Sequence, residues 1–242
     1  MSNTILHKAE TRGHADHGWL NSYQSFSFAG YYNPERTQFG VLRVLNDDVV
    51  TGGKGFGSHP HDNMEIISIP LEGSLVHEDN MGHKEVVSAG EIQVMSTGSG
   101  VFHSEYNNSP DKPAKFLQIW LFPNKLNVTP RYDQVKIDPL KGKNQLQQLI
   151  SPDANGEGTW IYQDAWFLSG RFDKDSRFSY ERKKKENGVY LFVIKGSFTV
   201  DGQLLETRDG FGITDVDEIE LLSLEEGSEI LIMDVPMKNK IQ

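Results

Sequence analysis

Hydrophobic and polar positions along the chain alternate with a period of two or gather in short β-rich runs, and Gly, Pro, Asn and Asp close each run. The runs are FGVLRVLNDD, EIISIPLEGSLVHED, EIQVMS, KFLQIWLF, GVYLFVIKGSFTVDG and SEILIMDV. Many short strands punctuated by turns predict an all-β protein, a sandwich or a barrel. Helical periodicity is scarce: Leu146, Leu149 and Ile150 predict one short turn of helix. The segment PNKLNVTPRYDQ, bracketed by Pro123 and Pro130, has no period and is expected to connect two β units, residues 1–125 and 126–242.

An internal repeat supports that division. In EGSLVHEDNMGHKEVVSAGEI, Gly73 ends one strand and Gly90, seventeen residues on, opens another. In KGSFTVDGQLLETRDGFGI, Gly196 and Gly210 mark the same events fourteen residues apart. Two copies of one β unit are therefore expected.

Composition narrows the chemistry. Across 242 residues there is no cysteine, which excludes a disulfide scaffold, thiolate-bound zinc, iron–sulfur clusters and a cysteine nucleophile. Histidine and carboxylate remain as metal ligands. A net charge of −10 disfavours a nucleic-acid backbone as partner, and the short basic run from Arg182 to Lys185 does not reverse this. The longest apolar stretches, such as Leu191 to Ile194, fall far below the ~18 residues of a membrane helix. The opening MSNTILHKAETRGHADHG lacks a signal-like apolar segment, so a soluble, cytoplasmic protein is expected.

All eight histidines lie at or before residue 103. His59 and His61 stand at i and i+2 in GSHPHDNME, so an extended strand turns both imidazoles to one face. His103 and Glu105 repeat the spacing in GVFHSEYNN. Two paired strands would aim three imidazoles and a carboxylate at one point, a set suited to a divalent transition metal. Four protein ligands leave two positions open on an octahedral ion and none on tetrahedral zinc. His7, His14, His17, His77 and His83 taken singly read as ordinary surface or core residues. Glu65, four residues after His61, shares its face if the strand is unbroken, so parity leaves the carboxylate as either Glu65 or Glu105.

The stretch from Gly53 through His59, His61 and Glu65 to Gly73 resembles the first cupin motif, and Gly90 through Gly98 and His103 to Asn107 resembles the second. More narrowly, RGHADHGWLNSYQSFSFAGYYNP, FGVLRVLNDD, HPHDNMEIISIPLEG, HEDNMGH, MSTGSGVFHSE and TPRYDQ are similar to the pirin family, in particular to its bacterial quercetin 2,3-dioxygenase-like members. Ser96 stands where the general cupin motif often has proline, and seven residues rather than six separate Glu65 from Gly73, both as in pirins. The resemblance implies two cupin barrels (double-stranded β-helix, or jelly-roll) in tandem. It also implies a metal held by His59, His61, His103 and Glu105, choosing Glu105 over Glu65.

Counting from the repeat glycines places Arg182 and Lys184 where His59 and His61 stand, and Ser223 at the place of His103. Cations do not ligate a cation, so the second unit is expected to be degenerate and metal-free, giving one metal per chain. Fe(II) is the first expectation, with Mn, Ni, Cu, Co or Zn as alternatives, since all accept imidazole and carboxylate. The activity the resemblance implies is cleavage of a flavonol heterocycle with O2, releasing carbon monoxide. Glu105 would serve as ligand and as the nearest base, and Phe26, Phe28, Phe56 and Phe102 are expected to line the pocket of a flat aromatic substrate. Two alternatives are a metal-dependent regulator acting through a protein partner without turnover, and a metal-free or isomerase-type cupin.

Overall fold

A computed structural model describes residues 3–241. In chain order the first strands are β1 (Asn3–His7), β2 (Gly13–Asp16), β3 (Leu20–Gln24), β4 (Leu42–Val50), β5 (Gly55–His61) and β6 (Glu65–Glu72). There follow β7 (Ser74–Asp79), β8 (Lys84–Ser88), β9 (Glu91–Ser96), β10 (Val101–Asn107), β11 (Ala114–Leu121) and β12 (Arg131–Lys136). The remainder are β13 (Gln147–Ser151), β14 (Thr159–Trp160), β15 (Trp166–Phe172), β16 (Arg177–Glu181), β17 (Asn187–Lys195) and β18 (Ser197–Val200). Last come β19 (Gln203–Glu206), β20 (Gly210–Thr214), β21 (Glu218–Ser223) and β22 (Ser228–Pro236). A 3-10 turn at Ala9–Thr11 is the one helical element among the described residues, none of which forms a helix able to cross a membrane.

The strands assort into two compact units. The N-terminal unit holds Gly13–Ile137, with Thr159–Gln163 and the chain from Asn239. Its large sheet runs β12-β9-β6-β11-β4-β3-β2 and its small sheet β5-β10-β7-β8. The C-terminal unit holds Asp138–Gly158 and Asp164–Lys238, together with the first strand. In its large sheet β1, β20, β17, β22, β15 and β13 are successive neighbours, and its small sheet runs β16-β21-β18-β19. The orders correspond strand for strand, β4 to β11 matching β15 to β22, which is the repeat expected from the Gly-Ser turns. Each unit is a cupin barrel.

The expected boundary at 125/126 is displaced at both ends. β1 adds an edge to β20, Asn3 pairing with Thr214 and His7 with Gly210. The RYDQ half of the supposed connection is the start of β12, which lines the β9 edge with Arg131 opposite Ser96. Edge strands join through backbone hydrogen bonds, so they need no apolar stripe and leave little pattern to read. The half-buried, polar β12 illustrates this. The expected helical turn near Leu149 is instead β13, whose pairing with β15 shifts register between Gln148 and Ile150. Pairing overrides a two-leucine helical spacing.

Pro70 occurs within β6, a position normally hostile to proline. It lies beyond Glu65–Ser68, the stretch that pairs with β9, and opposite Phe116 beside the register shift against β11, where that ladder is irregular.

Candidate metal centre

β5 and β10 run antiparallel with His103 opposite His59 and Val101 opposite His61. Along β10 the two-residue period buries Val101, His103, Glu105 and Asn107 and turns Phe102 and Tyr106 outward. A bulge then sets Glu105 opposite Phe56, so three steps along β5 match two along β10. Strict alternation would put Phe56 and His59 on opposite faces; the extra residue lets both reach the interior. Close strand approach also requires Gly55, where a Cβ would come within 2.3 Å of the Glu105 carbonyl oxygen.

The three imidazoles converge. Ring centroids are 4.7 Å apart for His59 and His61, 4.5 Å for His59 and His103, and 5.0 Å for His61 and His103. One nitrogen from each lies within 4.8 Å of the others. Glu105 sits beside His103, and a second group of three potential ligands, His77, His103 and Glu105, meets the same distance. The Glu105 carboxylate accepts bonds from Ser68 Oγ at 3.1 Å and Gln118 Nε2 at 2.9 Å. Glu65 is elsewhere: its carboxylate accepts from Ser96 Oγ at 2.6 Å, and it does not face the histidines' cavity. The parity linking Glu65 to His61 is broken by Asn63, whose φ of 46° ends β5 before β6 begins.

Burial governs the charges. Desolvation first, and neighbouring His59 second, lower the pKa of His61 to about 4; desolvation with His59, His77 and His61 lowers that of His103 to about 2. Both imidazoles are therefore neutral and able to bind a cation. Burial raises the pKa of Glu105 against the pull of His77, Ser68 and other neighbours. It also raises Asp48 to about 7, aided by Asp47 and Glu105 and opposed by a bond from Ser22. The tautomers suit a metal. His59 Nδ1 lies 2.7 Å from the Gly57 carbonyl oxygen, an acceptor only, so the proton is on Nδ1 and Nε2 carries a lone pair. His103 Nε2 is buried with no hydrogen-bond partner. A buried nitrogen lone pair without a donor is satisfied by a cation, so these residues fit a bound metal.

The histidines open onto a cavity of about 280 Å³. Phe28, Phe56, Ile66 and Trp120 supply its apolar wall, and Asn46, Asp48 and Gln118 its polar one. Of the four phenylalanines expected there, Phe28 and Phe56 are present. Phe26 is core, 1% exposed, and Phe102 is 54% exposed on the outer face of β10. Sequence reasoning missed Asn46, Asp48, Gln118 and Trp120, although the NDD ending of an apolar strand was a readable signal. It also set His77 aside, yet His77 is fully buried beneath His103. His7 is likewise buried, its Nδ1 2.9 Å from the Tyr190 hydroxyl.

In the C-terminal unit the pairing registers locate the equivalent positions. Glu105 pairs with His77 and Asn107 with Leu75; Leu221 pairs with Val200 and Ser223 with Phe198. Ser223 therefore corresponds to Asn107, and Leu221 to Glu105. Ile219, opposite Tyr180, occupies the place of His103 opposite His59, which leaves Arg182 at the place of His61. The equivalents expected from glycine counting, Arg182, Lys184 and Ser223, are thus shifted, because the intervening turns differ in length. Tyr180, Ile219 and Leu221 belong to the apolar core of this unit.

Two cupin barrels, one enclosing a histidine-lined cavity and the other filled with apolar side chains, define a bicupin. Residues 6–121 match the family model described as pirin, and residues 148–235 the quercetinase C-terminal cupin domain. The chain is 44% identical over 231 residues to quercetin 2,3-dioxygenase of Escherichia coli K12, covering 96% of this chain and 98% of that one. A pirin-like protein of Caulobacter vibrioides is 36% identical, with 91% and 94% covered. The crystal structure of the bacterial pirin YhhW of Escherichia coli in complex with nickel(II) superposes with a TM-score of 0.91 at 41% identity, covering 97% of this chain and 99% of that one. This chain belongs to the pirin family.

Proposed function

We propose that this chain is a metal-dependent dioxygenase that opens the heterocycle of a flavonol with O2 and releases carbon monoxide. The observation that carries the reading is the unpartnered, buried Nε2 of His103 beside two further imidazoles at the wall of an aromatic cavity. His59, His61, His103 and Glu105 would hold one divalent ion, Fe(II) by first preference. When bound, such an ion supplies a Lewis acid that acidifies a phenolic hydroxyl and a redox centre for O2. The second unit, with Ile219 and Leu221 in the ligand places, would hold none.

The remaining roles belong to side chains. At about 280 Å³ the cavity is close to the smallest small-molecule pockets, roughly 300 Å³, and suits a flat ring system. Phe28 and Trp120, edge to face with centroids 5.3 Å apart, form the wall such a ring would lie against. Asn46 Oδ1 and Asp48 Oδ1 are buried without partners and accept substrate hydroxyls. Glu105 lines the same cavity and would take the proton of the 3-hydroxyl. The reading is supported by relatives named quercetin 2,3-dioxygenase and by the nickel-bound pirin. Protein loaded anaerobically with Fe(II) or Ni(II) and then aerated with quercetin should consume oxygen and bleach the flavonol absorbance, and His59→Ala should not. Metal-loaded wild type that leaves both signals flat would overturn the proposal.

A further inference from the structure

Beneath the three imidazoles lies a chain of buried polar side chains. His77 and Asp79 project from β7, and both side chains are fully buried. Asp79 Oδ2 is 3.1 Å from His77 Nε2 and 2.9 Å from His83 Nδ1, while its Oδ1 accepts the backbone N–H groups of Met81 and His83. On its other side, His77 Nδ1 is 3.4 Å from Gln93 Nε2 and 3.5 Å from His103 Nδ1. Tyr132 covers His77 and His83, its ring 4.8 and 4.9 Å from theirs. HEDNMGH, one of the stretches carrying the family resemblance, thus folds into a single network ending on His103.

The protons in this network can be placed from donor and acceptor chemistry. A carboxylate only accepts, so His77 carries its proton on Nε2, facing Asp79. The Gln93 amide Nε2 that faces its Nδ1 only donates, so Nδ1 is a lone pair that receives it. The other nitrogen facing that lone pair, His103 Nδ1, must be a donor. With its single proton on Nδ1, His103 bares Nε2, the atom left without a partner in the cavity. Backbone and imidazole donors from Met81, His83 and His77 hold Asp79 as the fixed end of this series.

We propose that Asp79 and His77 are positioning residues that lock His103 in the tautomer presenting Nε2 to the metal. The proposal rests on His103 being a ligand. His59 is set the same way by the Gly57 carbonyl; His103, deeper in the barrel, is set through an imidazole backed by a carboxylate. Partners of this kind behind a metal-bound imidazole change metal affinity by about 10- to 100-fold.

Asp79→Asn tests it at constant size. The two backbone N–H donors hold the amide oxygen of the new side chain in place, which turns its NH2 toward His77 Nε2. His77 must then carry its proton on Nδ1, and His103 is driven to the Nε2–H tautomer. In full-length protein stripped with a chelator and labelled with 15N in histidine, NMR should show His103 protonated at Nδ1 in wild type and at Nε2 in Asp79→Asn. Ni(II) affinity, by competition with a chromogenic chelator, should fall at least about tenfold in the variant. Wild-type His103 protonated at Nε2, or Asp79→Asn binding Ni(II) like wild type, would overturn the proposal. His103→Ala separates the two levels: if it binds Ni(II) undiminished, the ligand reading itself fails.

Discussion

In the N-terminal unit β10 turns His103 and Glu105 inward against β5; in the C-terminal unit β21 turns Ile219 and Leu221 inward against β16. The first barrel buries a polar interior in which His77, Gln93, Glu105 and Gln118 each require a partner. The second buries an aliphatic and aromatic one, including Phe172, Phe198, Leu191 and Ile232. Burying a polar group without its hydrogen bond costs roughly 1–3 kcal/mol by mutational measures, whereas burying a large apolar side chain contributes about 1.5–3 kcal/mol. One strand order thus serves two ends: a polar, histidine-lined interior with candidate metal ligands in one unit, and stability from hydrocarbon in the other.

Equivalent truncations in the two units should have opposite consequences. His103→Ala should lower flavonol turnover more than about a hundredfold and abolish tight Ni(II) binding. Ile219→Ala, at the matching place, should cost roughly 2–5 kcal/mol in denaturant unfolding yet leave Ni(II) affinity unchanged. A folded Ile219→Ala protein that no longer binds Ni(II) would show that the units are not separable in this way.

Smaller in effect is Glu65, a buried carboxyl of the N-terminal unit that lies apart from the histidines. Desolvation raises its pKa from 4.5 to about 7, against bonds from Ser96 and Tyr162 and the charge of Arg131. The folded state holds this proton where the unfolded state has lost it. Stability is therefore fully present below about pH 4.5 and declines as pH rises toward about 7. Glu65→Gln keeps an acceptor for Ser96 without a charge and should flatten that decline in thermal melts from about pH 5 to about pH 7.5. An unchanged slope would place the titration on other groups. Least of all should Phe102→Ser matter. It points outward from β10, so turnover should stay within about twofold and stability within about 0.5 kcal/mol, measured side by side with wild type.

What could be read from the sequence followed from strict local geometry. HxH and HxE spacing on extended chain places side chains on one face whatever surrounds them, and three of the four ligand candidates meet as that parity requires. The all-β class and the repeat were legible because apolar alternation and Gly turns are local signals. Other features depend on distant partners. Phe56 enters the cavity through a bulge against Glu105, and Phe102 leaves it by the same alternation that brings His103 in. Glu65 is excluded by one left-handed residue, Asn63. His77 looked like a bystander because nothing within its own strand announces a bond to His103, twenty-six residues away.

The sequence alone determined an all-β chain of two related halves, with every histidine, and so the candidate histidine-and-carboxylate site, in the first, because backbone alternation and residue chemistry act over a few positions. Tertiary structure decided the unit boundaries, the burial of Glu65 away from the histidines' cavity, the polar contacts behind His103 and the hydrocarbon filling of the second barrel. Those depend on strand register and edge pairing, which join residues far apart in the chain through backbone groups common to every amino acid.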